Sequence, residues 1–324
     1  MSTAPADLRE PPYAVPRLEV RLPVPDVRVW HAGNTGVEGV WRIEATEPGP
    51  HLVITGLIHG NEIAGALVLS RWLRDGVRPR RGALTLVFAN LAAFDRFDPA
   101  DPTASRFVDE DLNRVWAPAL LDGARRSAEL DRARALRPVV ERADVLLDLH
   151  SMLWPSDPLF IAGPGAAARE LGRAIGAPPL VVCDEGHAAG RRLIDHPRFT
   201  DDARALLVEG GPHWQPETLA QLEDTAARLL RELGMAEEGA PLPPHAPLPP
   251  GRVAHVTRTV TASTGEFVFL RGFRGGEVVA RRNTLIAMDG EAEIRTPHDG
   301  CLLVMPSPRA LRGHTAVRLA RFET

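Results

Sequence analysis

His59 and Glu62, three residues apart in Ile58-His59-Gly60-Asn61-Glu62, and His150, in Asp148-Leu149-His150-Ser151, are the residues from which a chemistry can first be read. Two imidazole nitrogens and one carboxylate oxygen are the protein donors of catalytic zinc sites that keep a fourth position for water. The first pair is local and the third group is distant, so the fold has to bring them together. Alone, the His-x-x-Glu spacing also fits a helix cap followed by a surface charge. Asp148 lies two residues before His150, which on a strand puts both side chains on one face. There it can orient the imidazole from behind; a buried Asp satisfied by backbone donors is the competing reading.

Three other segments carry polar groups of the matching kind. Arg106, with Asn113 and Arg114 of Asp109-Glu110-Asp111-Leu112-Asn113-Arg114, offers two planar guanidinium forks and an amide. They suit a substrate carboxylate and a developing oxyanion, although a charged loop with local ion pairs accounts for the same residues. Glu209, in Val208-Glu209-Gly210-Gly211-Pro212-His213, stands where an apolar run meets glycines. It reads as a general base within reach of a metal-activated water, or as a strand-end Glu capping the next helix. His187, His196 and His213 fit a pocket or a loop. Arg191, Arg192 and Arg198 fit a second substrate carboxylate or solvent. Trp154 and Trp214 fit a pocket wall or ordinary packing.

The elements that must position these groups follow from periodicity. Apolar runs at 41–44, 52–58, 83–90, 145–150, 159–162, 180–183 and 205–209 read as strands. Helical spacing recurs over 62–74, 129–142 (in two pieces, because Pro138 lies inside), 166–175 and 216–233. Strands alternating with helices imply an α/β fold, a mostly parallel sheet covered on both faces, with polar groups at the carboxyl ends of buried strands. Residues 1–237 thus form the first domain, of which 1–30 is a loose lead-in rich in Pro and Arg with one edge strand. Residues 238–250 are a Pro-rich linker. Residues 251–324 form a small all-β domain of short runs separated by turn residues. Its Glu293-Ile294-Arg295-Thr296-Pro297-His298-Asp299-Gly300 resembles the turn of lipoyl-like β-sandwiches.

Composition narrows the function classes. With 44% hydrophobic and 25% charged residues the chain reads as a soluble globular protein, and a net charge of −4 argues against nucleic-acid binding and membrane attraction. All 38 basic residues are Arg. No Schiff-base, phosphate-loop or carrier lysine exists, so the β-domain cannot hold a swinging cofactor, and a structural, shielding or oligomerising role remains for it. Two distant cysteines and the lack of a signal-type or membrane-spanning apolar run imply a cytoplasmic location. A homo-oligomer, such as a dimer, is the base-rate expectation.

The ordered set His-Gly-Asn-Glu, Asp-Leu-Asn-Arg, Asp-Leu-His-Ser and Glu-x-Gly-Pro resembles the succinylglutamate desuccinylase/aspartoacylase family, relatives of zinc carboxypeptidases, over roughly residues 50–235. The resemblance implies a three-layer α/β/α zinc carboxypeptidase-like domain with a mixed, mostly parallel sheet, and a C-terminal β-domain. It implies one Zn2+ per chain held by His59, Glu62 and His150, with Glu209 as the catalytic glutamate. Arg106 would polarise the scissile carbonyl, and Asn113 and Arg114 would bind the substrate carboxylate. The activity implied is hydrolysis of a small N-acyl amino acid to a carboxylate and a free amine. A carboxypeptidase-type peptidase or a non-catalytic binding homologue are the alternatives. The chain departs from the family pattern over 186–198 and at Gly210, where better-known members carry a larger residue.

Overall fold

Runs of Val, Leu and Ile bounded by turn residues become buried strands in the computed structural model, which describes residues 13–163, 165–187, 189–200 and 203–323. The chain divides into two units, one of Val20–Ser151 and Pro158–Gly251, the other of residues 13–19, Met152–Asp157 and residues 252–323.

In the first unit the strands are β1 (Val40–Glu44), β2 (His51–Gly56), β3 (Ala83–Phe88), β4 (Val145–Met152), β5 (Leu159–Ala162), β6 (Leu180–Cys183) and β7 (Arg204–Pro212), side by side in the order β1-β3-β2-β4-β7-β5-β6. β2 runs parallel to β3 and β4, and β5 parallel to β6. β1 on β3 and β5 on β7 are antiparallel, so the sheet is mixed. β2, β3 and β4 are buried along their whole length, as strands covered on both faces must be. The helices are α1 (Ile63–Arg74), α2 (Leu91–Phe94), α3 (Pro118–Leu121), α4 (Ala128–Glu141), α5 (Ala166–Ile175) and α6 (Pro216–Glu232). α6 packs on α1 and α5, while α4 packs with α3. The result is the α/β/α layering expected.

Two local expectations need correction. The 129–142 helix is one piece, because the stripe Leu130, Ala133, Leu136 and Val140 is buried on both sides of Pro138. Packing there outweighs a proline cost of ~3 kcal/mol. No strand occurs among residues 13–30; that stretch holds only a 3₁₀ turn at Arg28–Trp30. Pro16, Pro23 and Pro25 remove the donors that a ladder would need. Residues 1–12 of the lead-in lie outside the described residues.

The second unit holds β8 (Arg252–Thr261), β9 (Phe267–Phe269), β10 (Val278–Val279), β11 (Leu285–Asp289), β12 (Ala292–Arg295), β13 (Cys301–Val304) and β14 (Thr315–Phe322). They pair antiparallel as β8-β14-β13-β10 and β12-β11-β9. Phe267, Phe269, Ile286, Leu303, Val317 and Leu319 fill the core between them. β12, whose Ala292 and Glu293 are exposed, had no apolar run to betray it in the sequence. Both cysteines are buried and neither forms a disulfide. No helix among the described residues is long and apolar enough to cross a membrane.

Candidate metal centre and catalytic site

β2 ends at Gly56, and the chain turns through Leu57, a buried leucine at φ 61°. A left-handed backbone is costly for a branched side chain, about 1–3 kcal/mol, and such turns persist where surrounding contacts fix them. Here the Leu57 carbonyl accepts from the Asn90 N–H at 2.8 Å. His59 follows, and Glu62 stands at the head of α1. Gly60 lets this loop press against its neighbours: a Cβ there would lie 2.5 Å from the Ala93 carbonyl carbon and 2.6 Å from the Ser105 oxygen.

The structure brings the local pair His59 and Glu62 together with the distant His150. The Glu62 carboxylate lies between the two imidazoles, Oε1 at 2.7 Å from His59 Nδ1 and Oε2 at 3.0 Å from His150 Nδ1. Each residue offers a donor atom within 4.8 Å of the others, and all three are buried. A tetrahedral ion with bonds of ~2.0–2.1 Å separates its ligand atoms by roughly 3.3 Å. Two histidines and a carboxylate already near that spacing fit such an ion. Among the described residues this is the one such cluster of His, Cys, Asp or Glu.

The far side of each ring is also held. His150 Nε2 lies 2.8 Å from Asp148 Oδ2, and Asp148 Oδ1 accepts from Thr55 Oγ1 at 2.5 Å. Burial pushes the His150 pKa down, but Asp148 and Glu62 overcome this and hold it well above the ordinary histidine value. Glu62 shows the mirror image. Burial would raise its pKa, yet His59 and His150 keep it well below the carboxylate range. His59 Nε2 lies 3.0 Å from Asp111 Oδ1, a partner that the sequence reading passed over. Asp111 was hidden among three acidic residues, and its 52-residue separation from His59 leaves no local signal.

Arg106 reaches the same cluster, with Nη2 2.8 Å from His59 Nε2 and 3.3 Å from Asp111 Oδ2. Its segment is fixed by Glu129 at the start of α4, also unassigned by the sequence. This fully buried carboxylate accepts from the backbone N–H groups of Val108, Asp109 and Glu110 and from Asn90 Nδ2. Asn113 is buried and its Oδ1 accepts from the Leu193 N–H at 2.8 Å. Arg114 donates to the Asn113 carbonyl at 2.7 Å and lies 4.0 Å from Asp111.

Glu209, on β7, is buried, and its Oε2 has no hydrogen-bond partner. Burial raises its pKa to about 8; His150 and Arg106 oppose the rise, and Glu62 adds to it. Gly210 owes its identity to α6: a Cβ would stand 2.6 Å from Leu222 Cγ and Cδ2. That contact explains why no larger residue follows Glu209.

The remaining sequence candidates separate. His213 is buried with Nδ1 2.6 Å from Ser151 Oγ, and the Trp214 indole N–H donates to the Asn61 carbonyl at 2.7 Å. His187, Arg191 and His196 line a cavity of about 880 Å³ near the N-terminus of α5, and no donor of the His-Glu-His cluster borders it. Arg192 is buried against Asp184 and Asp195, and Arg198 pairs with Asp144. Trp154 belongs to the second unit.

Comparison with known proteins shows the family and the fold. Residues 48–233, more than half of the chain, match the family model of the succinylglutamate desuccinylase/aspartoacylase catalytic domain. An N-acyl-aromatic-L-amino acid amidohydrolase (carboxylate-forming) of Xenopus laevis is 31% identical over 113 residues, covering 32% of this chain and 35% of that protein. The chain thus spans about a third of the length of that relative. A succinylglutamate desuccinylase of Burkholderia orbicola (strain AU 1054) is 27% identical over 287 residues, 81% of this chain and 78% of its own. The X-ray structure of a succinylglutamate desuccinylase from Vibrio parahaemolyticus superposes with a TM-score of 0.64 at 17% identity, covering 89% of this chain and 87% of that one. At that identity the likeness speaks for the fold.

Proposed function

Because the chain belongs to the succinylglutamate desuccinylase/aspartoacylase family, we propose that it hydrolyses the amide bond of a small N-acyl amino acid, releasing a carboxylate and a free amino acid, with a zinc ion held by His59, Glu62 and His150. The observation that carries this reading is the pairing of that buried donor cluster with Glu209, a buried carboxylate with an unpartnered oxygen.

A bound zinc ion supplies Lewis acidity to the attacked carbonyl and makes a water molecule acidic enough to react near neutral pH. The protein's own groups do the rest. Glu209 accepts a proton from the attacking water and returns it to the departing amine. A carboxylate made more basic by burial suits both transfers. Arg106 donates to the oxygen that gains charge, where losing one such donor commonly costs about 10²–10³ in rate. Asn113 and Arg114 hold the amino acid's carboxylate so that binding energy aligns the amide. Asp148 and Asp111 fix the orientation of His150 and His59.

In this reading residues 1–237 are the catalytic domain, 238–250 the linker and 251–324 a β-domain with no carrier lysine. Two buried cysteines outside any disulfide suit a reducing cytoplasm. The test is amine release from N-acetyl, N-succinyl and longer N-acyl amino acids, using chelator-stripped and zinc-reloaded protein. Turnover that needs the metal and vanishes in Glu209→Gln is expected. Cleavage of short peptides in place of acylated amino acids would overturn the deacylase reading and favour a peptidase.

A further inference from the structure

The segment after Glu209 makes two contacts that the proposed hydrolysis does not use. Ser151, beside His150 on β4, donates its backbone N–H to Glu62 Oε2 at 3.1 Å. Its hydroxyl lies 2.6 Å from His213 Nδ1. Ser151 and His213 are both buried, and they are 62 residues apart in sequence. Beside them Trp214 takes a left-handed φ of 60°, and its buried indole N–H reaches the Asn61 carbonyl, one residue before Glu62. Two side chains from one turn therefore tie the strand of Glu209 to both segments that carry the donor cluster.

We infer that His213 is a positioning residue for the metal-ligand carboxylate: through Ser151 it fixes the peptide that grips Glu62 Oε2. The inference rests on the reading of His59, Glu62 and His150 as metal ligands. A carboxylate between two imidazoles can turn about its last torsion. An N–H donor held from behind removes that freedom before the ion arrives, and partners of this kind commonly contribute 10–100-fold to metal affinity. Without His213 the Ser151 hydroxyl would be buried without its partner, and it would recover a hydrogen bond only by turning away.

The test reads zinc affinity directly, by competition with a chromophoric chelator, in variants whose fold is confirmed by circular dichroism and thermal melting. His213→Ala and the size-matched His213→Leu should weaken zinc binding by about 10–100-fold. His213→Asn, whose amide oxygen can take the place of Nδ1, should recover most of it. Ser151→Ala should show a loss like that of His213→Ala, and the double variant no further loss. Should His213→Ala fail to fold, Ser151→Ala and His213→Asn carry the same comparison. Zinc binding unchanged in Ser151→Ala and His213→Leu, or equal weakening in the Asn and Leu variants, would overturn the inference. Wild-type protein that binds no zinc would instead sink the metal reading, and the brace with it. Neither outcome depends on knowing the substrate.

Discussion

The Glu129 carboxylate accepts from the Val108 backbone N–H at 2.6 Å, and the same group takes the next two N–H groups of the loop. That loop leads from Arg106 to Asp111, so a helix-start acid sets where two groups of the site stand. Glu129→Gln places an NH₂ against N–H donors. It should cost about 1–3 kcal/mol, the penalty for leaving buried polar groups unmatched, read as a lower denaturation midpoint. Turnover should fall with it, and turnover at the wild-type level would show that the loop is positioned by other contacts.

Asp148→Asn keeps the shape behind His150 and removes the charge. Metal affinity should drop by ~10–100-fold, as for other carboxylate partners of ligating histidines. Equilibrium dialysis against a zinc buffer measures this, and an unchanged constant would refute an orienting role for Asp148.

Gly210→Val tests the packing of β7 on α6. The added carbons collide with Leu222, which is fully buried, so a loss of ~1–3 kcal/mol is expected from overpacking. Leu222→Ala in the Gly210→Val background should return part of that loss. Additive losses in chemical denaturation would place the strain elsewhere.

Glu209 sets a pH dependence in the metal-free protein. Its pKa is raised to about 8 from the ordinary glutamate value of 4.5. The folded state therefore binds the proton more tightly than the unfolded one. The stabilisation is full below the unfolded value and is lost as pH climbs from about 4.5 through about 8. Relative to Glu209→Gln, which does not titrate, the wild type should lose about 1.4 kcal/mol per pH unit across that window. Denaturant titrations of both proteins at several pH values give the slope, and parallel curves would refute the assignment.

What could be read in advance was what local spacing encodes. Asp148 and His150 are two apart on one strand, so periodicity pairs their side chains. His59 and Glu62 are three apart in the turn that leads into α1, close enough in sequence to be read together. Buried apolar runs marked the strands that end at them. The uninterrupted α4 was misread because its buried stripe outweighs Pro138. β12, which pairs with the adjacent β11 across a two-residue turn, was missed because its short run is mostly exposed.

The amino-acid order by itself determined the donor types, the strands and helices that bear them, and the absence of any lysine-based chemistry. Asp148 behind His150 could be read from the strand, but tertiary structure alone decided the other groups that support the site. Asp111 meets His59 across 52 residues, Glu129 meets Asn90 across 39 and His213 meets Ser151 across 62. Hydrogen bonds act over about 3 Å, whereas the chain that separates these partners carries no periodic signal of their meeting. Only the closing of the sheet and the turns at its strand ends brings them within that range.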